Sequence, residues 1–116
     1  MDATALVVDV LEGALDVPVS TEIPTDRPGR LVSVALEADR STPYLLMPTY
    51  RLMCWGESDV DAKSIAMAAV EALWDAALDH PYLSAADLET LSRTSWSKTG
   101  QARYEAVVSL VINTDE

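Results

Sequence analysis

Apolar and polar positions follow two rhythms along this chain, one typical of helices and one typical of strands. In residues 2–15 the apolar side chains recur every three or four positions, which predicts a short amphipathic helix. A second, longer helix is predicted to begin at Ser58, which forms a capping-box-like start with Asp61. This helix should end near Asp79, because Pro81 disfavours helical backbone at the residue before it.

Alternation with a period of two predicts the strands. Residues 17–23, 31–37 and 44–55 read as three strands between the helices, and residues 102–112 alternate most strictly of all. Ser84 is interpreted as the cap of a short turn that runs to Leu91, with a modest strand over residues 91–97. The pattern therefore predicts one α+β domain over residues 1–116. Its largely antiparallel sheet has about four to five strands, and its helices cover one face.

The loop between the first two strands is unusual, because it concentrates positive charge in an acidic chain. Pro24, Pro28 and Gly29 are turn-forming residues, and they flank Arg27 and Arg30 in the stretch IPTDRPGR. One interpretation is that these arginines pair with nearby carboxylates and only order the loop. Anion binding at the turn is another, and contact with an acidic protein surface is a third.

The second helix offers such an acidic surface. Glu71, Asp75 and Asp79 are spaced four residues apart, so they lie on one side of the helix and repel one another. Asp79 also opposes the helix dipole. A solvated face explains this row, and so does a cationic partner. Trp74, four residues after Val70, is expected in the core.

Charge and composition narrow the classes of function. The chain carries 8 basic and 19 acidic residues, a formal net charge of −11, which opposes stable binding to nucleic acid or to anionic membranes. Its 49% of hydrophobic residues is ordinary globular usage, and no apolar run reaches the length of a membrane span. A single cysteine and the lack of a leader-like start favour folding in the cytosol.

Catalytic and metal-binding patterns are missing from the sequence. His80 is the only histidine and Cys54 the only cysteine, and neither stands in a nucleophile or zinc spacing. His80 is interpreted as a helix C-terminal cap, and Cys54 as a buried thiol inside a strand. The four glycines are scattered, so no phosphate-binding loop is present. We expect no enzyme activity, no cofactor and no bound metal.

The order of elements resembles the tail terminator family of long-tailed phages, small proteins that cap the tail tube and join it to the head. The resemblance rests on the opening helix, on VPVSTEIPTDRPGRLVSVALE with its arginine-proline pair before a strand, and on a closing ARYEAVVSLVIN strand. Between them lies YRLMCWGESDVDAKSIAMAAVEALWD, a strand that ends in Cys-Trp-Gly and continues into an alanine-rich helix. These stretches cover nearly the whole chain.

The resemblance implies an α+β protein that assembles as a six-membered ring in the virion tail, after synthesis in the cytoplasm of the host bacterium. Its partners would be copies of itself, the tail tube protein and a head-completion or connector protein, with genome DNA passing through without stable binding. The hypothesis for its contacts pairs a basic set with an acidic set on a neighbouring subunit, namely Arg27, Arg30 and Arg51 with Glu71, Asp75 and Asp79. Two alternatives stay open, another head-tail connector or tail component and a small α+β ligand-binding domain.

Overall fold

A computed structural model describes residues 2–22, 29–43, 45–95 and 102–113. Two helices and six strands are found within these ranges, which confirms the predicted α+β class. In chain order they are α1 (Ala3–Ala14), β1 (Val19–Ser20), β2 (Leu31–Asp39), β3 (Leu45–Leu46), β4 (Pro48–Trp55), α2 (Asp59–Asp79), β5 (Leu83–Ser95) and β6 (Ala102–Asn113).

The strands form one sheet in which β6 is the central element. The order across the sheet is β1, β2, β4, β6 and β5, and all of these neighbours are antiparallel except β1 and β2. Strand β3 pairs with the end of β6 in the same register as β4, so the two strands continue one another along β6. The sheet is therefore largely antiparallel, as predicted.

Both helices begin where the sequence predicts them. Asp2 caps α1 by accepting hydrogen bonds from the backbone N–H groups of Thr4 and Ala5. Ser58 caps α2 by accepting from Asp61, and α2 ends at Asp79 as expected from the proline that follows. No helix in the described ranges is long and apolar enough to cross a membrane.

The hydrophobic core lies between the helices and one face of the sheet. Strands β2, β4 and β6 contribute every second residue, because alternate side chains share a face. The buried members of this core include Val32 and Val34 of β2, Tyr50, Leu52 and Cys54 of β4, Ala106, Val108, Leu110 and Ile112 of β6, Val7 and Leu11 of α1, and Ile65, Ala66, Ala69, Val70 and Leu73 of α2. Within the described ranges, the opposite face of the sheet carries no helix and holds the charged residues of β4 and β6.

Strand β5 corrects the prediction of a turn followed by a short strand. It is continuous over Leu83–Ser95 and pairs with β6 along its length, so Ser84 caps no turn. Its register shifts between Leu83 and Ala85 and again between Leu88 and Thr90. Each bulge places an extra residue in β5, which removes the regular alternation from the sequence.

Two further strands differ from the prediction. The segment predicted as one strand over residues 44–55 is interrupted at Met47, whose backbone bonds to the preceding loop: its C=O accepts from Arg40 and its N–H donates to the Ser41 hydroxyl. Strand β1 has only two residues and runs parallel to β2. The loop of residues 24–30, apart from Gly29 and Arg30, and the predicted turn at residues 97–101 lie outside the described residues.

Candidate protein-interaction site

The C-terminal half of α2 carries an exposed apolar pair beside a row of carboxylates. Trp74 and Leu78 are 41% and 84% exposed, and Glu71, Asp75 and Asp79 are exposed as well. We call these five residues the α2 outer face. The prediction that Trp74 lies in the core is therefore wrong, and the apolar component of this site was not predicted from the sequence.

The helical rotation of about 100° per residue explains this arrangement. The buried stripe of α2 runs through Ala62, Ala66, Ala69 and Leu73, and the α2 outer face is centred on the opposite side of the helix. Trp74 lies one residue beyond Leu73 and is rotated out of the core. Trp74 and Leu78 are four residues apart, so they are neighbours on the helix surface, and tryptophan is enriched in protein contact sites.

The charges of the α2 outer face are not balanced within α2. The last turn of α2 contains no basic residue, and the three carboxylates repel one another at a spacing of four residues. Asp79 also lies at the negative end of the helix dipole. The isolated chain therefore bears an electrostatic cost here that a cationic surface would relieve.

Arg30, at the end of the proline-rich loop, pairs with carboxylates of its own chain. Its Nε lies 3.2 Å from Asp61 Oδ2 at the start of α2, and its Nη1 lies 3.9 Å from Asp16 Oδ1. Arg30 therefore links the end of this loop to the start of α2. Its carboxylate partners lie outside the loop, in contrast to the nearby carboxylates expected from the sequence. Arg27 lies outside the described residues.

Arg51 also pairs with carboxylates of its own chain, on the helix-free face of the sheet. It donates two hydrogen bonds of 2.8 Å to the carboxylate of Glu37 on β2 and one of 2.8 Å to Glu105 on β6. The bond from Arg51 holds the pKa of Glu37 below its usual value, and Glu37 and Glu105 raise the pKa of Arg51. The three residues form a bridge across three strands.

Arg103 extends this bridge to Trp55. Its guanidinium lies 3.2 Å from Glu105 Oε1 and 5.6 Å from the centroid of the Trp55 ring, which is fully buried. The charged residues of β4 and β6 on the helix-free face, Arg51, Arg103 and Glu105, therefore pair with one another and with Glu37 of β2. Of the proposed basic contacts, Arg30 and Arg51 already have acidic partners in their own chain.

Cys54 and His80, the two residues considered for catalysis, have structural roles in the fold. Burial raises the pKa of the Cys54 thiol to about 12, so the reactive thiolate is strongly disfavoured. His80 is the C-cap of α2, and its Nδ1 accepts a hydrogen bond of 3.2 Å from the backbone N–H of Tyr82. The predicted position of His80 at the C-terminal cap of the helix is confirmed.

A pocket of about 380 Å³ lies where the N-terminus of α1 meets the end of the sheet. Leu36, Leu46, Tyr50 and two aspartates, Asp2 and Asp39, line it, and Asp2 and Asp39 already accept hydrogen bonds from the adjacent backbone. Burial raises the pKa of Tyr50, whose hydroxyl lies 2.9 Å from that of Thr4. No group of three or more metal-ligating side chains occurs in the described ranges. The α2 outer face remains the most distinctive candidate site.

Comparison with known proteins gives no family for the chain, because no family model and no curated protein sequence matches it.

The contact of Arg30 with Asp61 gives a pH-dependent prediction. Hydrogen bonds from Glu57 N–H and then from Arg30 lower the pKa of Asp61 below its ordinary value of 3.8. The stability that this carboxylate contributes is present above that value and is lost as the pH falls through the lower, folded-state pKa. Replacing Asp61→Asn should cost about 1 kcal/mol at pH 7, because the pair is partly exposed, and nothing once both proteins are acidified below the folded-state pKa.

Urea unfolding at a series of pH values measures this difference. Asp16→Asn is the matched control, because the Asp16 side chain is 90% exposed and lies 3.9 Å from the same guanidinium. It should change the free energy of unfolding by less than the Asp61 variant at pH 7. A cost for Asp61→Asn that persists undiminished at the lowest pH would contradict the assignment to charge.

Proposed function

We propose that this chain is a structural component of a long-tailed phage, a tail terminator that caps the tail tube, ends its polymerisation and forms the joint with the head. It acts as a ring, with six copies in the arrangement that the resemblance implies. Its other partners are the tail tube protein and a head-completion or connector protein. Its site of action is the virion tail, after synthesis in the bacterial cytoplasm.

The α2 outer face is the observation that carries this proposal. A well-packed small domain that exposes a tryptophan and a leucine beside three carboxylates presents a surface suited to another protein. Protein contact sites are enriched in tryptophan, which supplies large contact area from a semi-rigid side chain. A structural role needs surfaces of this kind and needs no catalytic groups.

The packing between the sheet and α2 favours this role over that of a ligand-binding domain. The side chains that would line a pocket there are apolar and at most 4% exposed: Leu52, Cys54, Ile65, Ala69, Leu73, Val108 and Leu110. They fill the space between the two layers in which a small molecule would bind. The charge of −11 also suits a channel through which DNA passes without adhering, because like charges repel.

Tube assembly in vitro tests the proposal. The tube protein encoded alongside this chain would be polymerised with increasing amounts of the chain, and tube length would be measured by electron microscopy. A terminator should shorten the mean tube length as its ratio to tube protein rises, because each bound cap removes a growing end. Bovine serum albumin at the same ratios is the control. Tube lengths that do not change at equimolar protein would contradict the proposed function.

A further inference from the structure

The basic residues of the described subunit are largely engaged with its own carboxylates. Four of them form ion pairs within the chain, namely Arg30 with Asp61, Arg51 with Glu37 and Glu105, Arg93 with Asp59, and Arg103 with Glu105. The other two basic residues in the described ranges are Arg40 and Lys63, one between β2 and β3 and the other on α2. Arg27 and Lys98 lie outside the described residues.

A second copy of this chain is therefore a poor match for the α2 outer face. Each copy carries a net charge of −11, so two copies repel at long range, and in the described ranges four of the six basic residues already pair with carboxylates of their own chain. Complementarity requires positive charge beside Glu71, Asp75 and Asp79. It also requires an apolar recess that accepts Trp74 and Leu78.

From this geometry we infer that the α2 outer face is the docking site for a different protein, one that presents an apolar recess bordered by lysine or arginine side chains. Trp74 and Leu78 enter the recess and supply most of the buried apolar area. The row of carboxylates beside them pairs with the basic border and fixes the orientation of the partner. The identity of that partner as a neighbouring tail or head component rests on the proposed function, whereas its chemistry does not.

The chemistry can be tested with two synthetic helical peptides that share one pattern of leucines. The first has lysine at every polar position and the second has glutamate. The fluorescence anisotropy of a labelled peptide, measured at low and at moderate salt, should show binding of the lysine peptide, weaker binding of it as salt rises, and no binding of the glutamate peptide. Equal binding of both peptides, or of neither, would overturn the inference.

Variants locate the binding surface. The double change Trp74→Ala with Leu78→Ser should weaken binding of the lysine peptide at least tenfold, and so should the triple change Glu71→Gln, Asp75→Asn and Asp79→Asn. All five positions are exposed, so both variants should fold, and circular dichroism checks this. Undiminished binding by either folded variant would overturn the inference.

Two matched controls distinguish binding at the α2 outer face from nonspecific attraction to acidic or apolar surfaces elsewhere on the protein. Val60→Ser removes an apolar side chain that is 80% exposed at the other end of the same helix. Asp9→Asn with Glu12→Gln removes two exposed carboxylates from α1. Both controls should bind the lysine peptide as the parent does, within twofold. If a control variant loses as much binding as the α2 outer face variants do, the peptide responds to the overall charge or hydrophobicity of the protein. That result would contradict the inference.

Sedimentation and tube capping complete the test. If the parent forms oligomers that the Trp74→Ala, Leu78→Ser variant dissociates, the face binds a second copy and the inference of a different partner is wrong. In the tube-length assay, face variants that cap as well as the parent would defeat the inference and leave the proposed function standing. A parent that fails to cap, but binds the lysine peptide through this face, would defeat the proposed function alone.

Discussion

Replacing Gly56→Ala should destabilise the protein by about 3 kcal/mol, because there is no room for a methyl group where β4 meets α2. A Cβ at this position would overlap the backbone nitrogen of Ala62 and lie 2.8 Å from its Cα. Those atoms belong to the first turns of α2 and cannot move aside as the end of a flexible side chain can. The junction itself would have to shift, and with it the packing of α2 on the sheet.

Gly13→Ala is the matched control for this substitution. Gly13 lies in α1, and a Cβ there would meet nothing within 4 Å. Alanine should stabilise α1 by about 0.5–1 kcal/mol through its higher helix propensity. Urea unfolding followed by far-ultraviolet circular dichroism measures both changes. A Gly56→Ala protein as stable as the parent would mean that the strand and helix do not approach as closely as the structure has them.

Trp55→Ala should cost about 3–5 kcal/mol, whereas Trp74→Ala should cost less than about 1 kcal/mol. Trp55 is fully buried beneath Arg103, and its strand position pairs with Leu31, which is also buried. Removing its ring leaves a large cavity on the helix-free side of the sheet. Trp74 is partly exposed on the α2 outer face, so its removal exposes little of the core.

The same circular dichroism titration distinguishes these two variants without relying on tryptophan fluorescence. A large cost for Trp74→Ala would place its ring in the core and would remove the apolar half of the proposed docking site. A small cost for Trp55→Ala would contradict the burial of that ring. The ranking of the two variants therefore tests both the packing and the site.

The helices could be predicted from the sequence because their signals are local. A capping side chain lies within three residues of the groups that it caps, as for Asp2 and Ser58, and Pro81 acts on the residue directly before it. The strict alternation of β6 could be recognised equally well, because the bulges in its pairing with β5 place their extra residues in β5 and leave β6 regular. These elements were enough to predict the α+β class.

Strand β5 could not be recognised, because its two bulges alter the spacing of the inward side chains. Leu83, Ala86, Leu88 and Leu91 face the core at intervals of three, two and three residues. That spacing resembles a helical turn more than a strand. The bulges follow from pairing with β6, which is distant in the sequence, so no local pattern reports them.

The ion pairs could not be predicted from the sequence either, because their partners are distant along the chain. Arg30 and Asp61 are 31 residues apart, and Arg51 and Glu105 are 54 residues apart. Only the sheet register and the placement of α2 bring them together. The acidic row was found from its spacing alone, but its apolar neighbour was assigned to the core, because a tryptophan four residues after a core valine fits an apolar stripe. The spacing of four residues between Trp74 and Leu78 could have indicated a second apolar stripe on the outer side of α2.

Electron microscopy of isolated tail tubes mixed with the purified chain tests the proposed role most directly. We predict ring-shaped density with sixfold symmetry at tube ends, present with the chain and missing from tubes alone. Tube ends that stay bare at saturating protein, while the chain remains folded by circular dichroism, would contradict the account of this protein as a tail terminator.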